Sequence, residues 1–324
     1  MGGPPNPSQE GAVIVDRTGE AVPGFHVLGA AEAPVYLLEA PRPVLFDAGF
    51  ACLGPSYAAH ARQALGDTPP AWLCLTHVHF DHCGAAAHLL EAFPELKAAA
   101  SAQAAHILSR PGALELMARL NRQSAQLVAA WRPGLASPVE FKPFEVGRIL
   151  EDGQELDLGG GLSLQVLATP GHTRDFLSYY IPQRGILVCS EASGCAASGG
   201  HIICEFLVDY DAYLANFERF LDLGARVLCQ GHRLVYLGQD EVRGFLERSR
   251  QATREFRAWV EELLDQEHGQ VEAVVSRVKA LEYDPRPHPK QPEPAYLLNL
   301  RARVAHLAGL RPVAAGQPAK EKRS

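Results

Sequence analysis

Apolar residues in this chain come first in short runs and later in helical stripes. Val35-Tyr36-Leu37-Leu38, Val44-Leu45-Phe46 and Leu73-Cys74-Leu75 are continuous apolar stretches, the pattern of buried strands. A helix is predicted near Tyr57 to Leu65, between the last two. A second set of predicted strands covers Leu162 to Leu167, Phe176 to Ile181, Ile186 to Cys189 and Val227 to Cys229. Between the sets, residues 101–131 read as a helical insertion that Pro111-Gly112 breaks in two. Leu114, Met117, Leu120, Leu127, Val128 and Trp131 give it a partial apolar face.

Beyond residue 240 the period lengthens. Asp240 is placed to cap a helix in which Val242, Phe245, Leu246, Phe256, Trp259, Val260, Leu263 and Leu264 recur near helical spacing. Val271, Val274, Val275, Val278 and Leu281 mark a second helix, and Leu297 to Leu310 a third. Five prolines between positions 284 and 294 predict an extended connector before that third helix. The expected division is an N-terminal segment (1–24), an α/β domain (25–240), a helical extension (241–312) and a disordered tail (313–324).

Composition narrows the classes. With 324 residues and 47% hydrophobic content the chain can bury a substantial core. A formal charge of −7 argues against a nucleic-acid partner, because phosphate binding brings a basic face. No apolar run is long enough to span a membrane, and Met1-Gly2-Gly3-Pro4-Pro5-Asn6-Pro7 lacks the basic and apolar regions of a signal peptide. Seven cysteines, an odd count without C-x-x-C spacing, fit reduced thiols in the cytoplasm. Cys74, Cys189 and Cys229 read as small buried hydrophobes, and Cys83 as a packing residue at a helix start.

The chemistry sits at Thr76-His77-Val78-His79-Phe80-Asp81-His82, directly after a predicted strand. Three imidazoles and a carboxylate in six positions are costly at a strand exit unless something binds them, and a divalent cation suits that donor set. In extended backbone His77 and His79 point the same way and can grip one ion. If the chain turns into a helix at about Asp81, then Asp81 and His82 diverge from that pair, which suits a second ion about 3.5–4 Å away.

H-x-H-x-D-H after an apolar strand resembles the metallo-β-lactamase superfamily. Further pieces stand in the family's order: Asp47 after Val44-Leu45-Phe46, Thr169-Pro170-Gly171-His172-Thr173 after a strand, and Gly231-His232 after another. The resemblance implies a four-layer αββα sandwich carrying two divalent ions, zinc foremost, with iron or manganese as alternatives. By that resemblance His77, His79 and His172 hold the first ion, and Asp81, His82 and His232 the second. The family usually has a bridging aspartate where this chain has Ser190-Glu191-Ala192. Glu191 reaches about 1.5 Å further, and either bridges the ions or swings away and leaves a single-ion site. Asp47 is expected to accept a hydrogen bond from a ligand histidine. In relatives the helical insertion often overhangs the cleft; packing on the core is the other reading.

By the same resemblance, two ions sharing a water bring its pKa toward neutrality and make hydroxide available, while Asp81 orients the nucleophile and shuttles a proton. The expected substrate is a small ester, thioester or lactone. The alternatives are a mononuclear iron oxygenase resembling the persulfide dioxygenases, a phosphodiesterase, and a low-turnover binding or regulatory protein; homo-oligomerisation is left open. The glycine-rich loop from Ser193 to Gly200 would bring His201 to the cleft mouth, with Phe206, Tyr210 and Tyr213 as candidate substrate-binding walls. His26, His60, His88, His106, His268, His288 and His306 lack metal-like spacing and read as surface or packing residues.

Overall fold

Every side chain in Ala33–Leu38 and Val44–Phe46 is buried, because both faces of their sheet are covered. Val35, Leu37 and Leu45 pack against helices, while Tyr36, Leu38, Val44 and Phe46 pack against a second sheet. The computed structural model describes residues 13–132, 134–197, 200–286 and 290–310. His288 and the tail expected from 313 onward lie outside them.

The first half runs β1 (Val13–Val15), β2 (Gly19–Val22), β3 (Phe25–Ala30), β4 (Ala33–Leu38), β5 (Val44–Phe46), α1 (Gly54–Leu65), β6 (Trp72–Cys74), α2 (Phe80–Cys83), α3 (Ala86–Ala92), β7 (Lys97–Ala100), α4 (Ala102–Leu108), α5 (Pro111–Trp131) and β8 (Arg148–Ile149). The second runs β9 (Glu155–Gly159), β10 (Leu162–Ala168), β11 (Leu177–Ile181), β12 (Ile186–Val188), β13 (Cys195–Ala196), β14 (Ile202–Ile203), α6 (Tyr210–Asp222), β15 (Val227–Cys229), β16 (Val235–Leu237), α7 (Gln239–Gln266), α8 (Val271–Val278) and α9 (Glu293–Leu310).

Two seven-stranded sheets result, ordered β2-β3-β4-β5-β6-β7-β8 and β1-β16-β15-β12-β11-β10-β9. Alternation sorts their side chains into layers. Val44, Phe46 and Cys74 meet Val166, Tyr179, Ile186, Val188 and Cys229 between the sheets. Leu45, Leu73 and Ala98 face α1, α3, α4 and α5 on one outer side, and Leu187, Leu228 and Tyr236 face α6 to α9 on the other. The architecture is the expected αββα sandwich. Among the described residues, no helix is long and apolar enough to cross a membrane.

Several expectations shift. The strands begin before residue 25: β2 joins the first sheet, and β1 pairs with β16 at the edge of the second. The insertion is two helices, with Pro111 at the start of α5, where its missing N–H is harmless. Met117 and Val128 are buried, but Leu127 and Trp131 are exposed, so its face is only half used. Asp240 does not cap α7; Gly238 does, at φ 100°, and Asp240 lies in the first turn beside Glu241, where acidic charge favours the helix dipole. Leu281 lies beyond α8 in a π-helical turn, Lys279–Tyr283, and is exposed. The connector ends earlier than predicted, because α9 starts at Glu293 and takes Pro294 into its first turn.

Candidate metal centre

The candidate ligands leave the sheets at strand ends. β5 and β6 run parallel and deliver Asp47 and the His77–His82 segment; β12 and β15 run parallel and deliver Glu191 and His232. His172 sits in the turn between β10 and β11. Parallel neighbours put their carboxyl ends on one side, so loops from two sheets converge on one edge of the sandwich.

Two groups of ligand atoms, His77/His79/His172 and Asp81/His82/His232, each lie within 4.8 Å of one another, and a third, His77/His82/Glu191, links them. The backbone stays extended through His79 (φ −67°, ψ 150°) and turns helical at Phe80, which separates the two pairs as the spacing predicts. His172 Nε2 faces His79 Nδ1 at 3.2 Å. Glu191 Oε1 lies 2.9 Å from His82 Nε2 and 3.1 Å from His232 Nε2, and Oε2 lies 3.9 Å from His77 Nε2. His77 Nε2 and Glu191 Oε1 are buried and have no aligned hydrogen-bond partner. Buried nitrogens and carboxylate oxygens this close to one another, two of them without an aligned hydrogen-bond partner, suit a bound cation. The residues present therefore fit divalent metal.

Protonation agrees for most of the set. Burial, with neighbouring histidines, holds His77 well below the usual imidazole range; burial also lowers His79, and takes His172 down to about 3. All three stay neutral, the form that binds metal. Burial would raise Glu191, but the charge of His82 and the close approach of His232 hold it well below the carboxylate range. Burial alone would lower His82 and His232. Glu191 outweighs it, raising His82 well above its ordinary value and His232 to about 9. In the metal-free chain Glu191 therefore holds two imidazolium partners whose protons a cation displaces.

Several of the candidate ligands are fixed from behind. Asp47, at φ 60°, accepts from His82 Nδ1 at 2.9 Å through Oδ2, and from the Thr76 N–H at 2.7 Å through Oδ1. Backbone carbonyls accept from His172 Nδ1 (Glu205 O, 2.6 Å) and His232 Nδ1 (Glu32 O, 2.9 Å). Asp175 Oδ2 accepts the Val78 N–H at 2.9 Å, and Phe176 stacks on His77 with centroids 4.6 Å apart. Gly231 is required by Glu191: a Cβ there would stand 2.1 Å from Oε1. The sequence reading missed Asp175, Phe176 and Glu205; nothing in their spacing marks them, since each acts across the fold.

The expected substrate walls are placed elsewhere. Phe206, Tyr210 and Tyr213 are buried in the core beneath α6 and α7, because their rings pack on Phe256 and Phe217 rather than on a cleft. Tyr213 instead braces the site: its hydroxyl donates to Glu191 O at 3.1 Å and accepts the Glu205 N–H at 3.2 Å. His201 keeps a third of its side chain exposed and approaches Glu282 Oε1 at 3.4 Å. Cys83 is fully buried at the start of the ligand helix, in a packing position.

Comparison with known proteins gives the same picture. The model of the metallo-beta-lactamase superfamily matches residues 33–232. A metallo-beta-lactamase fold-containing protein, ST1585 of Sulfurisphaera tokodaii, is 26% identical over 163 residues, 50% of this chain and 59% of that protein. A hydroxyacylglutathione hydrolase of Legionella pneumophila is 25% identical over 126 residues, 38% of this chain and 35% of its own. The chain thus spans only about a third to three fifths of these curated relatives. Among solved structures, ST1585 aligns over 92% of this chain and 98% of its own with 18% identity and a TM-score of 0.53. The sec-alkylsulfatase Pisa1 of a Pseudomonas species aligns over 91% of this chain and 51% of its own, with 17% identity and a TM-score of 0.64. Fold, ligand geometry and the match across residues 33–232 agree: the chain belongs to the metallo-beta-lactamase superfamily.

Proposed function

We propose that the protein is a hydrolase that holds two divalent cations, zinc foremost, and cleaves a small ester, thioester or lactone. The observation that carries this reading is the position of Glu191. Its carboxylate is turned into the centre, within 2.9–3.9 Å of nitrogens from both ligand groups. That favours two ions over the mononuclear oxygenase arrangement, which Glu191 swung away would have suited.

Bound divalent cations supply Lewis acidity, lowering the pKa of a coordinated water and polarising the substrate oxygen. The chain's own residues do the rest. His77, His79 and His172, kept neutral by burial, form the closed floor. Asp81 and His232, whose side chains are 19% and 33% exposed, stand at the open side where substrate enters. Asp81 accepts the proton of the attacking water and passes it toward the leaving group. Asp47 holds His82 with Nε2 directed inward. The hydroxyacylglutathione hydrolase among the relatives makes a hydroxyacylglutathione the first substrate to try.

The test is elemental analysis of freshly purified protein, followed by a panel of esters, thioesters, lactones and phosphodiesters. Two ions per chain and turnover of a carbonyl ester or thioester are expected. A single iron with oxygen uptake on thiols would overturn the reading, and a metal-replete protein inert on the whole panel would point to a binding role.

A further inference from the structure

Asn121 is an odd residue for its position. It lies on α5, 3% exposed, on the stripe where Met117 and Val128 enter the apolar core beneath the first outer layer. Asparagine is a poor helix former, and a buried amide is costly unless its donors and acceptor are all met. Here all are met. Oδ1 accepts the Ala51 N–H at 2.9 Å, and Nδ2 donates to Phe80 O at 3.0 Å and to Met117 O at 3.1 Å. An N–H on one side and two carbonyls on the other fix which way the amide points. Leucine, serine or aspartate in its place would leave at least one of these groups unmet.

Its two distant partners sit at telling places. Ala51 opens a single 3₁₀ turn, Ala51–Leu53, shortly after Asp47, and Phe50 enters that turn without a side-chain cap. Phe80 opens α2, between the candidate ligands His79 and Asp81. α2 is one turn of four residues, too short to hold itself. In a longer helix Phe80 O would take the Gly84 N–H, but that N–H donates to Gly49 O at 2.8 Å, and Asn121 supplies the missing donor. The end of α2 is tied separately: the Ala48 N–H donates to His82 O at 2.6 Å and the Ala85 N–H to Ala48 O at 3.2 Å. Asn121 therefore acts on its start, beside Asp81. The approach is close enough to require glycine, because a Cβ at Gly84 would stand 2.5 Å from Asn121 Oδ1 and 2.6 Å from Gly49 O.

The first ligand group is anchored without α5. Asp175 holds the extended segment of His77 and His79 through the Val78 N–H, Phe176 stacks on His77, and Glu205 O holds His172. We propose that Asn121 is a positioning residue for the second group: it ties the loop after β5 to the start of α2 and so keeps Asp81 and His82 aimed at their ion. The insertion that carries α5 thereby has a task in the metal centre besides packing on the core. The effect on metal rests on the two-cation reading above, and the tie itself stands on the hydrogen bonds.

Two measurements on the full chain test this. N121D is nearly isosteric and keeps the acceptor for Ala51 but cannot donate to Phe80 O, whereas N121A removes all three bonds; N121D keeps the test open if N121A does not fold. In the metal-free chain, hydrogen exchange at the His82 and Cys83 amides, which donate to His79 O, should quicken about tenfold in both variants, the loss of one buried hydrogen bond. The amides of β5 and β6 should keep wild-type protection. Unchanged exchange at His82 and Cys83, or the same quickening throughout the first sheet, would leave Asn121 a packing residue and overturn the proposal. Zinc titration of the metal-free chain against a chromophoric chelator then reads two binding steps. Both variants should bind the second ion about tenfold or more weakly and the first as tightly as wild type. An unchanged second step, or equal loss at both, overturns the positioning role. If wild type takes up one ion per chain while the exchange result holds, the two-cation reading fails and the tie stands.

Discussion

Asp47→Asn isolates what a single carboxylate contributes to the metal centre. Asp47 has two acceptor oxygens with two different clients: Oδ1 takes the Thr76 N–H at 2.7 Å and Oδ2 takes His82 Nδ1 at 2.9 Å, with the Thr76 hydroxyl at 2.9 Å from both. Asparagine keeps the shape and tolerates φ 60°, but offers one acceptor. If its oxygen stays on Thr76, its amide N–H faces His82 Nδ1. His82 must then accept there and carry its proton on Nε2, the nitrogen directed at Glu191. Loss of such a partner weakens metal binding ~10–100-fold, or ~1.4–2.8 kcal/mol. Folding of the metal-free chain should change by no more than ~1 kcal/mol, because the Thr76 bond survives. Asp47→Ala differs. It strands the fully buried Thr76 N–H, ~1–3 kcal/mol, and places a residue without a polar side chain in left-handed backbone. Competition with a chelator reads the affinity, and urea unfolding of the metal-free chain reads stability. An Asp47→Asn protein that holds both ions with wild-type affinity would refute the reasoning.

His79→Ala should lose the first ion and all turnover yet unfold within ~1–2 kcal/mol of wild type without metal, since the sheets carry the core; a molten spectrum would show the site to be structural. Glu191→Asp, one methylene shorter, is expected to keep the second ion and Glu191→Ala to lose it, as metal content per chain will show. Gly231→Ala forces Glu191 Oε1 away from a Cβ 2.1 Å off and should lower metal content with little change in far-UV circular dichroism. The metal-free chain should be most stable near pH 6.5. His232, raised to about 9, contributes stability that is full below its unfolded value and is lost as pH climbs through 9. His172, lowered to about 3, is protonated first in the unfolded chain, so stability also falls below pH 6.5. A thermal midpoint that rises steadily from pH 6 to 9 would contradict this.

Much of the fold was legible because this sandwich buries both faces of its central strands, so they appear as unbroken apolar runs. The edge strands β1, β2, β8 and β9, with β3, β7 and β16, were not, since they are short or mixed in character, and their pairing across the sheet is set by topology rather than by a local pattern. The candidate cluster was readable from spacing only for the segment His77 to His82; His172, Glu191 and His232 came from resemblance, being brought together by the convergence of loops from two sheets. The aromatic residues after His201 misled for a definite reason. Phe206, Tyr210 and Tyr213 lead into and line a helix whose buried stripe needs bulk, and aromaticity alone does not separate a core wall from a cleft wall. Asn121 was invisible for the opposite reason, as a polar residue on the stripe that α5 buries.

The pairing of β1 with β16 sets a timing problem during synthesis. Val13 must find Leu237, and no earlier strand can take its place at that edge. At ribosomal rates of about 5–20 residues per second, that partner is made roughly 10–45 s after β1. Throughout that interval Val13-Ile14-Val15 is a β-branched segment with unpaired backbone, open to other chains. The first sheet, complete by Ile149, can form meanwhile from the next six strands and β8, but the metal centre cannot, since His172, Glu191 and His232 follow it. The second sheet is complete only when β16 arrives, so β1 waits longer for its partner than His77 waits for His232.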